Sequence, residues 1–185
     1  RNVQRLSLLL EDLLVISSME NKTRQLDFSK SDIRALVERV IENLTPKIEE
    51  RSAEIVLDWA EDARSAEIDP SRIEQVCTNL LLNALQHGEV PALKIHLTAK
   101  RIGESIQLTF SDNGPGIPAE RRATIFRPYA STKPGGSGLG LATTRRIVEE
   151  HGGTVKLFNG PGGGTCFTLC LPLHGPSVTP ASPSP

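Results

Sequence analysis

The sequence predicts an α+β two-layer sandwich, a mixed sheet covered by helices on one face. Three observations lead there. Apolar residues recur at helical spacing in several segments that open on a capping residue or close on glycine. About five further segments read as strands, and neighbouring strands are mostly joined by hairpin turns. Residues 110–141 form a glycine-rich loop between a strand and a helix, too long for a plain connector and suited to a binding loop or lid.

The elements follow in order. Val3, Leu6, Leu10, Leu13 and Ser17 step by three and four, and Leu9, Leu14 and Ile16 widen the stripe. That apolar face is too broad to stay solvated, so it docks on the chain's own core or forms part of a dimeric bundle. The chain opens inside this helical pattern, which suggests a piece of something longer, and the polar residues 21–25 end the helix. Residues 26–28 read as a short strand. Ser31 and Asp32 offer an N-cap to a helix carrying Ile33, Leu36, Val37, Val40, Ile41 and Leu44, which Pro46 is expected to kink. Residues 54–59 and 66–68 read as strands. Asp69-Pro70 then opens a helix through His87, closed by Gly88. Strands 93–100 and 105–110 join across Gly103-Glu104. After the long loop, residues 139–151 form a helix stopped by Gly152-Gly153, and strands 154–158 and 165–171 flank a turn. Residues 174–185, rich in proline and serine, read as a disordered tail.

Composition excludes several classes. A net charge of −1 over 185 residues leaves no electrostatic footprint for nucleic acid or an acidic membrane. No apolar run is long enough to span a bilayer, and a cytoplasmic location is expected. Cys77, Cys166 and Cys170 are odd in number and lack zinc-ligand spacing, so they read as free thiols in a reducing compartment.

The residues able to carry chemistry each admit a plain reading beside a sharper one. Asn79 and Asn83 lie four apart on one face of a largely apolar helix, with Gln86 and His87 a turn further on. Their amides either bond to nearby backbone or offer oxygen to Mg²⁺, which prefers oxygen ligands shared with phosphates. Asp112, ahead of Asn113-Gly114-Pro115-Gly116, is a turn residue or a buried carboxylate able to accept from an exocyclic amine, which favours adenine. Gly114 and Gly116 would let backbone approach a base. The run from Gly135 through Gly136 and Gly138 to Gly140 lacks the Gly-Lys-Ser/Thr of a P-loop and the spacing of a dinucleotide fingerprint. It is a flexible loop, or a phosphate cradle ahead of a helix in which Gly138, Leu139 and Gly140 lead in. Lys133 would then neutralise a γ-phosphate, and Ser131 and Thr132 would add hydroxyl donors. Gly162-Gly163-Gly164-Thr165 is by itself a hairpin loop.

Taken together the motifs are specific. Asn79-x-x-x-Asn83, Asp112-x-Gly114-x-Gly116, Phe126-x-Pro128-Tyr129, Gly136-x-Gly138-x-Gly140 and Gly162-x-Gly164-Thr165 occur in that order. The series resembles the asparagine, glycine and phenylalanine boxes of sensor histidine kinases, over roughly residues 26–172. Their ATP-binding superfamily also includes heat-shock chaperones, mismatch-repair ATPases and anti-sigma serine kinases. The resemblance implies a Bergerat-fold catalytic domain at 26–173, preceded by a remnant of the dimerisation helix and a linker at 1–25. It implies Asn83 as the Mg²⁺ ligand, with Asn79 and Gln86 near the metal and phosphates. Asp112 would hold adenine with Thr165 assisting through water, and Gly136, Gly138, Leu139 and Gly140 would face the phosphates. Phe126 and Tyr129 would anchor a lid, with residues 117–134 poorly ordered in the absence of nucleotide. The implied partners are ATP, a response-regulator receiver domain and a second copy of the chain; the parent protein can be membrane-anchored.

Two departures stand out. Many members carry lysine where this chain has Gln86, and Lys133 is expected to substitute. The first hairpin helix, which bears the acceptor histidine in the family, is absent, and His87, His96, His151 and His174 are not on the N-terminal helix. This chain is therefore expected to bind Mg·ATP without phosphorylating itself. Three rivals share the motifs. An anti-sigma serine kinase predicts no dimerisation helix, a chaperone-like binding module needs a further domain, and a domain with lost catalysis finds support only in Gln86.

Overall fold

The computed structural model describes residues 26–88, 90–130, 138–160 and 163–175. The expected helix and linker at 1–25, and the tail beyond Gly175, lie outside these residues. The elements are β1 (Ser29–Asp32), α1 (Ile33–Glu50), β2 (Glu54–Trp59), a 3-10 turn (Glu61–Ala63), β3 (Ser65–Ile68), α2 (Pro70–His87), β4 (Lys94–Ile102), β5 (Ser105–Asp112), α3 (Ala119–Arg122), α4 (Gly140–Glu150), β6 (Thr154–Asn159) and β7 (Thr165–Pro172).

Local chemistry starts the two long helices. The Asp32 side chain accepts from the Ala35 N–H at 3.0 Å, and that of Asp69 from the Arg72 N–H at 3.1 Å. Each supplies a partner to a donor the helix leaves open, a contribution of about 1 kcal/mol. The Ala35 bond, aided by Arg64, holds the Asp32 carboxyl below its ordinary value. Burial opposes ionisation of Asp69, but hydrogen bonds from Ser71, Arg72 and Asp27 outweigh it and lower its pKa. Helix α1 runs unbroken through Pro46 to Glu50. Pro46 stands on the exposed side, where the carbonyl it deprives of a partner meets water.

The strand expected at 26–28 forms three residues later, as β1. Its position is set by antiparallel pairing with β3, where Ser29 faces Ile68 and Asp32 faces Ser65. Residues 26–28 are instead tied by side chains. The Asp27 N–H donates to Asp69 Oδ2 at 3.2 Å, and the Phe28 ring lies 5.2 Å from that of His151.

The remaining five strands form one mixed sheet in the order β2-β4-β5-β7-β6, parallel only between β2 and β4. Ile95, Leu97, Ala99, Ile106, Leu108, Phe110, Phe167, Leu169 and Leu171 are buried. The alternating residues, among them His96, Lys100, Gln107 and Thr168, are exposed or half-buried. Helices therefore cover one face. Their buried stripes are Ile33, Leu36, Val37, Val40 and Leu44 on α1, Ile73, Val76, Cys77, Leu80, Leu81, Ala84 and Leu85 on α2, and Ala142, Thr143, Thr144, Ile147 and Val148 on α4. No described helix is long and apolar enough to cross a membrane. The sheet order brings distant turns together: β7 enters between β5 and β6, so the chain leaves β5 at Asp112 and returns beside it at Thr165.

The three cysteines separate by burial. Cys77 is fully buried in α2, and desolvation pushes its thiol up to about 12, whereas Cys166 and Cys170 are half-buried on the outer face of β7. A disulfide reagent added to native protein is expected to titrate two thiols, the third reacting only after unfolding. Labelling of Cys77 at the rate of the other two would contradict this burial.

Candidate functional site

The site is assembled around the end of β5. Asp112 Oδ1 accepts from the Gly114 N–H at 2.8 Å and from the Thr165 N–H at 3.1 Å. The same oxygen thus closes the turn after β5 and fastens it to the start of β7. Asp112 Oδ2 has no hydrogen bond among the described residues. One carboxylate oxygen is spent on architecture and the other is left as an acceptor.

The glycines flanking Asp112 answer to packing. Gly116 has φ +74°, and a Cβ there would run into the carbonyl of Gly163; at Gly164 it would run into the carbonyl of Asp112. Two turns about 50 residues apart in sequence can close on each other only because neither carries a side chain at those points. Asn113 ties the same turn to the loop before β4. Its Oδ1 accepts from the Lys94 N–H and its Nδ2 donates to the Ala92 carbonyl, both at 2.8 Å. Sequence reasoning alone gives Asn113 no role; an amide that matches one backbone donor and one acceptor is the signal it offers.

Helix α2 ends beside this turn, since a Cβ on Gly114 would lie 3.0 Å from the Cα of its capping residue, Gly88. Asn79 and Asn83 behave differently. Asn79 Nδ2 donates to the Gly140 carbonyl at 3.1 Å, which fastens α2 to the first residue of α4. Asn83 is half-buried and its side chain has no hydrogen bond among the described residues. Gln86, one turn on, is exposed. At the head of α4, Gly138 has φ +66° and its carbonyl accepts from the Tyr129 N–H at 3.1 Å. Leu139 is buried, and its carbonyl accepts from the Thr143 N–H at 2.8 Å. Thr165 is buried as well.

The structure thus brings together Asn79, Asn83, Asp112, Gly114, Gly116, Gly138, Leu139, Gly140 and Thr165. Ser131, Thr132, Lys133, Gly136 and Gly162 lie outside the described residues. Of the 117–134 stretch, residues 117–130 are described: they contain α3, bury Ile125, and pack Phe126 edge-on against Phe167 at 6.2 Å. Tyr129 is exposed. A cleft of about 520 Å³ between Asp27, Asp69, Arg72 and Gln75 lies at the opposite end of α2 and is not part of this arrangement.

Chemically, the described residues offer acceptor oxygens and backbone donors. A carboxylate acceptor stands at a strand end, an uncommitted amide on a helix, and glycine N–H groups at the head of an eleven-residue helix. No nucleophile is paired with a base among them. Such groups suit holding and orienting a ligand.

These features define a class, the Bergerat ATP-binding fold. The family model described as histidine kinase-, DNA gyrase B-, and HSP90-like ATPase matches residues 68–175, and the chain belongs to that family. It is 30% identical to the catalytic domain of histidine kinase ThkA, over 80% of this chain and 97% of that one, with a TM-score of 0.74. Full-length ShkA in complex with AMPPNP is 28% identical over 95% of this chain and 38% of that one, at a TM-score of 0.83. ThkA in complex with the response regulator protein TrrA is 26% identical over 93% of this chain and 48% of that one, at a TM-score of 0.76. The alginate biosynthesis sensor protein KinB of Pseudomonas aeruginosa is 34% identical over 92% of this chain, which spans 29% of KinB. This chain therefore covers about a third of the length of the curated relatives it matches.

Proposed function

We propose that the chain is the ATP-binding catalytic module of a two-component sensor histidine kinase, with the catalytic domain at 26–173, a dimerisation helix and linker at 1–25, and a tail at 174–185. The observation that carries the reading is the divided duty of the Asp112 carboxylate. With Oδ1 held by Gly114 and Thr165, Oδ2 is fixed as an acceptor for the adenine amino group, and Thr165 assists through water.

The other residues follow the nucleotide outward. Gly136, Gly138, Leu139 and Gly140 present N–H groups to the phosphates at the start of α4, where the helix dipole favours negative charge. Asn79, by holding the Gly140 carbonyl, keeps α4 in place beside α2. Ser131 and Thr132 donate to phosphate oxygens, and Lys133 supplies the positive charge that Gln86 does not. The residues present fit Mg²⁺, because Asn83 has an uncommitted, half-buried amide oxygen and Mg²⁺ favours a few protein oxygens alongside phosphates and water. Bound there, Mg²⁺ would offset charge on the phosphates.

In the reaction, the γ-phosphoryl of ATP passes to a histidine nitrogen on a hairpin helix not contained in this chain, and ADP departs. A response-regulator aspartate then takes the phosphoryl group and the histidine is restored. This chain contributes positioning and charge neutralisation. The complex of ThkA with the response regulator protein TrrA, and the name of KinB as a sensor protein, support this assignment. The N-terminal helix would pair two copies, in a cytoplasmic domain whose parent can be membrane-anchored.

Asn83→Ala tests the site directly. In the unaltered chain, Mg²⁺ is expected to tighten a fluorescent ATP analogue relative to EDTA, and the variant is expected to lose that increment, about tenfold or more. An Mg²⁺ increment unchanged by the substitution removes Asn83 from the metal.

A further inference from the structure

One charged side chain beside the site is neither a nucleotide contact nor a metal ligand. Arg145, on α4, carries its guanidinium carbon 5.2 Å from the centroid of the Phe126 ring. Phe126 stands edge-on to Phe167 of β7, at 81° between the rings. Arg145 Nε also donates to Glu149 Oε1 at 3.1 Å, one helical turn along. The aromatic ring therefore has a core ring at one side and a cation over it. Phe126 is attached to α3 through Ile125, which is buried, and three residues later the Tyr129 N–H reaches the Gly138 carbonyl. The hold on Phe126 ties residues 117–130 to β7 at Phe167, two residues along from Thr165.

We infer that Arg145 is a positioning residue of the nucleotide site: its guanidinium clamps Phe126 against Phe167, and so ties the 117–130 arm to the strand that carries Thr165. The inference rests on the nucleotide reading of that site. It uses the face of an aromatic ring, which attracts a cation most strongly when the two are fixed at about this separation. Glu149 serves the clamp by holding the Nε edge, which leaves the guanidinium plane available to the ring. Arg145 touches no reacting atom. It acts through Phe126.

Arg145→Met keeps the aliphatic stem and removes the cation, whereas Arg145→Lys keeps a cation. An exposed cation–π contact corresponds to a factor of about two to five in an equilibrium. Without nucleotide, amide exchange in residues 124–130 of Arg145→Met is expected to quicken by that factor, with no change at α2 or the sheet. Release of a fluorescent ATP analogue in Mg²⁺ is expected to quicken equally, and Arg145→Lys to recover most of both effects. Exchange identical to the unaltered chain overturns the clamp. Faster exchange with unchanged release overturns the positioning role, and failure of lysine to rescue overturns the account in which a cation over the ring supplies the hold. If the unaltered chain binds no analogue, the nucleotide reading fails, while the exchange measurement still decides the clamp.

Discussion

Asp112→Asn is expected to weaken binding of ATP, ADP and adenosine alike, each by about 10- to 150-fold, with little change in thermal stability. An asparagine keeps one oxygen for the Gly114 and Thr165 N–H groups, which Asp112 Oδ1 now serves at 2.8 and 3.1 Å. It replaces the free oxygen by an NH₂ group, so a donor faces the donor on adenine. The lost charge-assisted bond accounts for about 1.5–3 kcal/mol, which corresponds to that fold-change. Because the contact is to the base, adenosine suffers as much as ATP, and the effect does not depend on Mg²⁺. That distinguishes it from Asn83→Ala. Asp112→Ala is a different experiment: it strands both backbone donors and costs stability as well. Calorimetric titration of adenosine into Asp112→Asn is the direct measurement, and unchanged affinity would displace Asp112 from the base.

The second large effect concerns His151, which is buried where three parts of the chain meet. Its Nε2 accepts from the Asp69 N–H at 3.1 Å, its Nδ1 lies 2.7 Å from the Ile147 carbonyl, and the Phe28 ring stands against it. Because the backbone N–H of Asp69 can only donate, Nε2 is the unprotonated nitrogen, Nδ1 carries the proton, and the imidazole is neutral. His151→Ala removes the ring, its contact with Phe28 and the acceptor of the Asp69 N–H. A loss of about 3–5 kcal/mol in unfolding free energy is expected, read by urea denaturation at pH 8.

The same geometry sets a pH dependence. Burial lowers the His151 pKa below its ordinary 6.5, although the Ile147 carbonyl and the charges of Asp69 and Glu150 pull the other way. Above pH 6.5 the ring is neutral folded or unfolded, and its contribution is complete. As pH falls below 6.5 the unfolded chain takes up a proton that the fold refuses. Stability then declines, by up to about 1.4 kcal/mol per pH unit, until the lowered folded value is reached. Asp69 and Asp32 also have lowered values, so their contribution is present above the ordinary 3.8 and fades as pH falls below it. His151→Gln is expected to flatten the decline that begins at pH 6.5 and leave the acidic one. An unflattened decline would assign the proton elsewhere.

What can be read in the sequence, and what cannot, divides by the range of the interaction. The caps at Asp32 and Asp69 are contacts across three residues, so sequence places both helix starts within a residue or two. The hairpin at Gly103 and the glycines beside Asp112 are equally plain, because a turn writes its need into adjacent positions. The strand expected at 26–28 is displaced by pairing with β3, some forty residues on, and nothing local to Phe28 announces its contact with His151. Helix α3 is four residues long and shows no period. Asn113 reads only as part of a turn, since its partners, Ala92 and the first residue of β4, Lys94, lie 21 and 19 residues back. His151 stands out in the sequence only as the residue before Gly-Gly; its decisive partner is 82 residues away. Asn79 is expected near a metal and phosphates, and the bond it makes here is to the Gly140 carbonyl of the glycine run.

Phe28, just before β1, lies close to Gly175, just after β7: a Cβ on Gly175 would lie 2.9 Å from the Phe28 ring. Tension applied between Phe28 and Gly175 loads first the β1–β3 pair, the bond from the Glu67 N–H to the Leu173 carbonyl, and the His151 contact. The Asp112–Thr165 seam lies at the far end of β7, beyond the first links to yield. A pull on this corner therefore opens those links before it deforms the turn that holds the Asp112 carboxylate.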